Sequence, residues 1–332
     1  MRVVSLGSGS SGNALLVEAG PQGRTKLLVD AGLNGYLLSE RLNSVGVHPS
    51  QLQGILVTHE HSDHVIGLPA LMKRYATPVI ADPRTYKALE DSLISGTWRT
   101  DSGVLIAALE SGAGAQDMLA TGLSAANNLH HDAEEQIGVQ ESEEILHGAE
   151  GTKRMLALPV GQRRIINDIE VTSFPTSHDA VAPCGYLLSA GGCRVCFVTD
   201  SGEVTPAMLT MIGLADLLIL EANHDRQRLL RGPYPLLLKE RILGSKGHLS
   251  NDQAADAVLR TWRHDSVRWL WLAHLSRTNN TPRLALKGVR ARLQAAGANL
   301  AQIHISTLPP DMGSVWDSTQ LWHASSLWEM NT

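Results

Sequence analysis

The chain has 332 residues, 43% of them hydrophobic and 18% charged, with a formal net charge of −5 at pH 7. This composition is ordinary for a globular protein with a sizeable core. It contains no apolar run long enough to span a bilayer and no signal-like N-terminal segment. Three cysteines, an odd number, argue against a disulfide framework. We therefore expect a cytoplasmic protein with no membrane partner.

The acidic residues are distributed unevenly. Residues 100–152 contain ten acidic residues and no lysine or arginine, whereas the rest of the chain has 28 basic and 23 acidic residues. The rest of the chain therefore carries a net charge of +5. Because polyanionic substrates respond to local fields rather than to the total charge, the mildly basic body suits such a substrate.

Strands and helices alternate along most of the chain. Alternating apolar residues predict strands at 3–5, 14–18, 26–29, 55–57, 79–81, 267–273 and 302–306. Helical spacing and capping residues predict helices at 36–45, 68–75, 250–262 and 282–296, and a further one starting after Asp82. The same pattern places strand-like runs before residues 178 and 200. This order predicts a protein of the α/β class.

Two segments depart from this pattern. Residues 99–164 are rich in alanine, glycine, glutamate and serine, and two interpretations stay open: a partly mobile loop, or an acidic lid near the cleft that competes with nucleic acid. Residues 307–332 form a C-terminal extension with Trp316, Trp322 and Trp328 six residues apart. We expect these indoles to dock onto the body. The predicted domain is therefore 1–306, with an insertion at about 99–164.

The most informative segment is Thr58-His59-Glu60-His61-Ser62-Asp63-His64, directly after a predicted strand. Residues two apart project to the same side of an extended backbone, so His59 and His61 can bind one metal ion. Asp63 and His64 follow on the next turn and point towards a second ion. Two such ions, about 3.5–4 Å apart, can share a hydroxide. The alternative, a solvated loop, is disfavoured by the preceding strand.

This HxHxDH segment resembles the signature of the metallo-β-lactamase superfamily, which implies a four-layer αββα sandwich. The resemblance also implies further ligands, each after an apolar run: His178, Asp200 and His274. It implies an early structural carboxylate, Asp30, which we expect to hold the signature loop through hydrogen bonds.

The resemblance divides these side chains between two divalent metal ions. One ion takes His59, His61 and His178; the other takes Asp63, His64 and His274; Asp200 bridges them. Imidazole with carboxylate ligands suits Zn²⁺ or Mn²⁺, and the sequence does not choose between them.

A narrower resemblance is carried by residues 5–13, 220–225, 247–251 and 274–276, which are similar to the YycJ/WalJ-like branch and, beyond it, to ribonucleases Z and J. Matching loops of ribonuclease Z imply that Glu221 and His248 act as an acid or phosphate-orienting pair. Together with Asp63 they are the candidate catalytic residues. The intervals of 74 residues before His274 and 22 residues before Asp200 leave no room for a ribonuclease J clamp domain or a ribonuclease Z arm.

These features predict a binuclear-metal-dependent phosphodiesterase that uses a metal-bridging hydroxide. We expect a hydrolase of the nuclease type, acting on single-stranded DNA or RNA, with 5′–3′ exonuclease action as one form. The alternatives are a hydrolase of a small molecule (a cyclic phosphodiester, thioester or lactam) and a non-catalytic nucleic-acid-binding module. No expected ligand is missing, which disfavours the binding module. A homodimer is left open.

Three further features have open interpretations. Six basic residues against one acidic residue, between Arg226 and Lys246, either contact phosphates along a strand or form a solvated helix face. Backbone N–H groups of the glycine-rich loop 7–13 are a second candidate phosphate contact. His224 either lines the cleft or is exposed.

Overall fold

The structure is a computed structural model that describes residues 1–100, 155–264 and 266–321, and the backbone of Leu105–Ala107. Its strands are β1 Arg2–Gly7, β2 Ala14–Ala19, β3 Thr25–Val29, β4 Gly54–Leu56, β5 Val79–Ala81, β6 Thr97–Arg99, β7 Leu105–Ala107, β8 Met155–Ala157, β9 Arg163–Ile166, β10 Ile169–Pro175, β11 Cys184–Ala190, β12 Cys193–Val198, β13 Leu217–Glu221, β14 Arg268–Ala273, β15 Ile303–Thr307 and β16 Val315–Asp317.

The residues that the structure describes form nine α-helices. They are α1 Gly35–Ser44, α2 Ser62–Val65, α3 Leu68–Tyr75, α4 Pro83–Ser95, α5 Pro206–Leu214, α6 Arg226–Arg231, α7 Leu236–Leu243, α8 Asn251–Arg260 and α9 Pro282–Ala295. Asp82 caps α4 and Ser250 caps α8 through their side chains, as the sequence predicts. No helix in the described residues has both the length and the apolar character that crossing a bilayer requires.

The strands form two mixed, seven-stranded sheets. The first has the order β16-β1-β2-β3-β4-β5-β8 and the second the order β15-β14-β13-β12-β11-β10-β9. In each sheet an antiparallel half joins a parallel half, at β3 in the first and at β12 in the second. The strands β6 and β7 form a separate pair.

Side-chain alternation along the strands creates the layers. In β2, Leu15 and Val17 point into a core between the two sheets, whereas Leu16 points to an outer core. That outer core packs the first sheet against α1, α3 and α4, and a third core packs the second sheet against α5, α8 and α9. The result is a four-layer αββα sandwich, and the predicted fold class is confirmed.

The ends of the parallel strands determine where chemistry is possible. Because parallel strands share a direction, their carboxyl ends lie at one edge of a sheet, where ligands bind in open α/β folds. Here β3, β4, β12, β13 and β14 end at residues 29, 56, 198, 221 and 273. Most of the predicted metal ligands and the structural carboxylate follow these ends within several residues. His178 instead follows β10, which runs in the same direction as β12.

The two unusual segments are only partly described. Trp316 lies in β16, which pairs with β1, and it is buried in the core between the sheets. Trp322, Trp328 and most of the acidic segment lie outside the described residues. The interpretation of the acidic segment as a lid therefore concerns residues that the structure does not describe. β8 joins the first sheet and β9 the second, so the sheets resume before residue 164, earlier than the predicted insertion implies. The division into a domain and an extension stays a prediction.

Arg268 links helices α5 and α8 to the second sheet through hydrogen bonds. It lies in β14 with 4% of its surface exposed, and it donates hydrogen bonds to the carbonyls of Ile212, Ala215 and Thr261. These carbonyls end α5 and α8, where the helix dipole is negative. Burial lowers the pKa of Arg268 to about 10, so the guanidinium remains charged at neutral pH.

We expect Arg268→Met to lower the free energy of unfolding by about 3 kcal/mol, because it removes three charge-assisted hydrogen bonds to the carbonyls that end α5 and α8. Urea unfolding followed by circular dichroism measures the change. The matched control is Arg283→Met in α9, an exposed position, which should stay within about 0.5 kcal/mol of the wild type. Equal stability of the two variants would contradict the role given to Arg268.

Candidate metal centre

The seven side chains predicted as metal ligands meet at one edge of the sandwich. Each is at least 93% buried, and each follows a strand end: they are His59, His61, Asp63, His64, His178, Asp200 and His274. The first and the last of these residues are more than two hundred positions apart in the sequence. Their donor atoms nevertheless form overlapping groups in which the atoms lie within 4.8 Å of one another.

The first group consists of His59, His61 and His178. The Nδ1 atom of His61 lies 3.3 Å from Nε2 of His178, so both nitrogens face one small volume. The other ring nitrogen of His178, Nδ1, lies 3.1 Å from the carbonyl oxygen of Gly247. A carbonyl only accepts, so this contact places the proton on Nδ1 and leaves Nε2 with a lone pair. Three such nitrogens suit a tetrahedral metal site.

The second group consists of Asp63, His64 and His274. An oxygen of Asp63 lies 3.6 Å from Nε2 of His64 and 3.4 Å from Nε2 of His274. Asp200 stands between the groups, because it also shares a set with His59 and His64. One of its oxygens is 3.1 Å from Nε2 of His64, and the other is 3.1 Å from Nδ1 of His274.

The buried polar atoms of these candidate ligands suit the binding of a cation. Nε2 of His59, Oδ1 of Asp63 and both oxygens of Asp200 are buried, and they have no hydrogen-bond partner in the part of the chain that the structure describes. A buried polar atom without a partner is costly, and a cation would remove that cost. Burial and the neighbouring imidazoles hold the pKa of His59 well below its usual value, so its ring is neutral, the form that binds metals. The residues therefore fit a divalent metal centre.

Asp30 holds the loop that carries the signature. Its carboxylate accepts from the backbone N–H of Thr58 at 2.9 Å and from the Thr58 hydroxyl. It also lies 2.7 Å from Nδ1 of His64, which leaves Nε2 of that ring for the second group. The predicted structural role of Asp30 is confirmed.

Glu221 and His248, the predicted pair, are in direct contact. Oε1 of Glu221 lies 2.7 Å from Nδ1 of His248 and 3.0 Å from Nδ1 of His274, while Oε2 accepts from the N–H groups of Ser201 and Leu249. Despite complete burial, the adjacent His248 lowers the pKa of Glu221, so it is a carboxylate. Because Oε1 of Glu221 contacts both His248 and His274, Glu221 positions the two imidazoles.

Three residues of the centre have unusual backbones. Asp30, Asp200 and His274 have φ values of 59°, 57° and 54°, in the left-handed region. Each directly follows, or nearly follows, the end of a strand. Such a conformation costs roughly 1–3 kcal/mol for a residue other than glycine. The surrounding fold therefore stabilises a geometry that the local sequence disfavours.

The glycine-rich loop at residues 7–13 uses some of its candidate phosphate-binding N–H groups within the protein. The N–H groups of Gly9, Gly12 and Asn13 already donate to acceptors within the protein, so these three are not phosphate contacts. The loop instead contributes Ser8, whose hydroxyl accepts from the N–H of His274 at 2.9 Å, and Asn13, whose amide lies 3.2 Å from Nε2 of His64. Sequence reasoning missed both roles.

His224 neither lines an open cleft nor is exposed. Its side chain is fully buried, and neither ring nitrogen forms a hydrogen bond to any described residue. Burial lowers the pKa of His224 to about 4, from an ordinary value of 6.5. The ring is therefore neutral in the folded protein at physiological pH.

This shift makes stability depend on pH. Between about pH 6.5 and pH 4 the unfolded chain binds a proton at His224 that the folded chain does not, so stability falls as the pH falls through this window. From pH 7 to pH 4.5 the loss is about 2 kcal/mol. His224→Gln should remove this component in urea unfolding with chelator present, whereas the exposed His264→Gln should not. An unchanged pH dependence in His224→Gln would contradict the assignment.

The αββα sandwich, with groups of histidine and aspartate side chains at one edge that could hold metal ions, is the architecture of a class of metal-dependent hydrolases. The sequence model of the Metallo-beta-lactamase superfamily matches residues 7–212. The chain belongs to this superfamily, and the resemblance inferred from its motifs is confirmed.

The chain is similar in sequence to proteins that are named as nucleases. The chain is 32% identical to Exodeoxyribonuclease WalJ of Streptococcus pneumoniae serotype 2 over 280 residues, which cover 84% of this chain and 83% of that protein. It is 31% identical to Exodeoxyribonuclease YycJ of Bacillus anthracis over 297 residues, 90% of each protein. A Ribonuclease Z of Pyrobaculum neutrophilum is 39% identical over 70 residues, 20% of this chain and 23% of that protein.

Solved structures share the fold at low sequence identity. The metallo-beta-lactamase fold protein YhfI from Bacillus subtilis has a TM-score of 0.61 at 14% identity, covering 95% of this chain and 99% of that one. The short form of human tRNase Z has a TM-score of 0.54 at 16% identity, covering 96% and 99%. These likenesses support the architecture alone.

Proposed function

We propose that this chain is a binuclear-metal-dependent phosphodiesterase that cleaves nucleic acid. One observation carries the proposal: Glu221 joins His248 to His274, so a candidate proton donor is fixed beside both groups of candidate ligands. The relatives named exodeoxyribonucleases, which align over more than four fifths of the chain, support a nucleic-acid substrate.

The candidate ligands would hold two divalent cations, Zn²⁺ or Mn²⁺, as assigned from the sequence. When bound, such cations generate a nucleophile from water near neutral pH and neutralise charge on phosphoryl oxygens. Asp200, which faces both groups, would keep the two cations together. Asp30 and Gly247 would fix the ring orientations of His64 and His178.

The protein's own acid–base step takes place at His248. Hydrolysis forms a bond from a water oxygen to phosphorus and breaks the bond to the leaving oxygen, which requires a proton. Protonated His248 would donate it, and a proton from the attacking water would restore the imidazolium. Because the Glu221 carboxylate faces Nδ1, it orients this ring and stabilises its charge.

We extend the proposal to single-stranded substrates and to 5′–3′ exonuclease action. The mildly basic character of the chain outside residues 100–152 supports binding of a polyanion. The homodimer and the cytoplasmic location stay predictions from the sequence.

The test offers the purified chain, loaded with Zn²⁺ or Mn²⁺, a set of substrates in parallel. These are single-stranded and duplex DNA and RNA labelled at either end, bis(p-nitrophenyl) phosphate and a chromogenic β-lactam. The proposal expects cleavage of the single strands, with products that appear from the 5′ end. Turnover of the lactam alone would favour the small-molecule alternative. Nucleic-acid binding without turnover, with either metal, would favour a binding module.

A further inference from the structure

Two arginines from distant segments share one carboxylate oxygen beside the metal centre. Nη2 of Arg99, in β6, donates to Oδ2 of Asp179 at 3.0 Å, and Nη2 of Arg241, in α7, donates to the same oxygen at 3.0 Å. Asp179 directly follows His178, a member of the first metal-binding group. We infer that Arg99 and Arg241 form a phosphate-binding fork for the nucleic-acid strand next to the scissile group.

The charges around Asp179 are unbalanced. Two guanidinium groups converge on a single carboxylate, so the set carries an excess positive charge. Each guanidinium has five N–H donors. Within residues 1–100, 155–264 and 266–321, each forms a side-chain hydrogen bond only to Asp179. Among the described residues, their other donors therefore remain for an anion, and phosphate matches the planar guanidinium geometry.

A purely structural role for these ion pairs, here called a structural clasp, explains the arrangement poorly. One arginine would suffice to neutralise Asp179, and a second brings a like charge to the same oxygen. The side chains of Arg99, Arg241 and Asp179 are 40%, 29% and 40% exposed, and ion pairs this open to water add little stability. An incoming phosphate would offset the repulsion between the guanidinium groups.

The backbone links this fork to the candidate catalytic histidine. The N–H of Asp179 donates to the carbonyl of Lys246 at 3.2 Å, and the next carbonyl, of Gly247, faces Nδ1 of His178. His248 follows directly. A strand whose scissile phosphate lies at the metal centre would therefore place a flanking phosphate within reach of the fork. This inference rests on the proposed function and names a second point of contact with the same substrate.

The experiment measures kcat and KM of the metal-loaded enzyme for a single-stranded DNA oligonucleotide and for bis(p-nitrophenyl) phosphate, which lacks a flanking phosphate. Arg99→Ala and Arg241→Ala should each raise KM for the oligonucleotide about tenfold, as loss of a charge-assisted hydrogen bond implies. The slope of log KM against log salt should fall by about 0.7 for one lost phosphate contact. Turnover of the small diester and the metal content should not change.

Asp179→Asn gives the opposite sign. Removing the competing carboxylate should lower KM for the oligonucleotide several-fold, whereas a structural clasp predicts a rise. Arg292→Ala is the matched control, since this exposed guanidinium pairs with Asp256 on the surface of α8 and α9 and should leave KM unchanged. Arg241→Lys keeps the charge and serves if the alanine variant does not fold; it should show an intermediate KM.

Three results would overturn the fork. The first is a KM for both alanine variants equal to that of Arg292→Ala. The second is an equal loss with the small diester, which would indicate a structural role. The third is a wild-type enzyme that hydrolyses neither substrate, in which case the proposed function itself fails. A wild-type enzyme that cleaves the oligonucleotide, with unaffected fork variants, refutes the fork alone.

Discussion

Asp200→Asn should lower kcat for an oligonucleotide by about 10³-fold and reduce the metal content from two ions per chain to one or fewer. Asp200 is buried between the two groups, with one oxygen 3.1 Å from His64 and the other 3.1 Å from His274. An amide replaces one of these oxygens by an NH₂ group, which cannot bind a cation. Loss of one ion removes several kcal/mol of transition-state stabilisation, and each 1.36 kcal/mol corresponds to a factor of about ten.

Metal analysis by mass spectrometry and steady-state kinetics on the same preparation check this result. The matched control is Asp82→Asn, another buried aspartate, which caps α4 and lies outside the groups of metal-binding side chains. It should keep both ions and nearly full activity. A fully loaded and active Asp200→Asn enzyme would show that the two groups do not act as one centre.

His248→Ala should lower kcat for an oligonucleotide by roughly 10²–10⁴-fold, the range expected for loss of a general acid. The same variant should lose far less activity towards bis(p-nitrophenyl) phosphate, because nitrophenolate departs without protonation. Metal content should not change, because Nδ1 of His248 lies closest to Glu221, at 2.7 Å, and farther from the candidate ligand Asp200, at 3.5 Å.

The comparison of leaving groups makes this prediction specific. A similar loss with both substrates would assign His248 to binding or to structure, and loss of metal would make it a ligand. His264→Ala, at an exposed position that belongs to none of the groups of candidate ligands, serves as the control. Glu221→Gln should resemble His248→Ala but also weaken metal binding, because Glu221 contacts His274 as well.

Much of the fold and of the centre could be predicted from the sequence because the signals are local. An apolar run followed by His178, Asp200 or His274 indicates a strand that ends in a polar residue. Strands that run in the same direction end at one edge of a sheet. The candidate ligands could therefore be grouped without coordinates. The signature at 58–64 then fixed which edge to consider.

The remaining features depend on tertiary contacts that no local pattern contains. The fork joins Arg99, Asp179 and Arg241, which lie up to 142 positions apart. Of the two arginines, the sequence singled out only Arg241, as part of the basic run between Arg226 and Lys246. Likewise, the burial of His224 depends on how neighbouring loops pack. The pairing of β16 with β1 involves only three residues at each strand, too few for a periodic signal.

The left-handed backbones of Asp30, Asp200 and His274 have an evolutionary consequence. While a lineage needs the ions, these positions must keep side chains that the backbone tolerates badly. A descendant that retained the sandwich but abandoned catalysis would be released from that constraint, and glycine, which adopts positive φ without strain, would then be favoured at the same three places. Glycine at these positions in a family member would thus indicate, from its sequence alone, a protein that has lost catalytic activity.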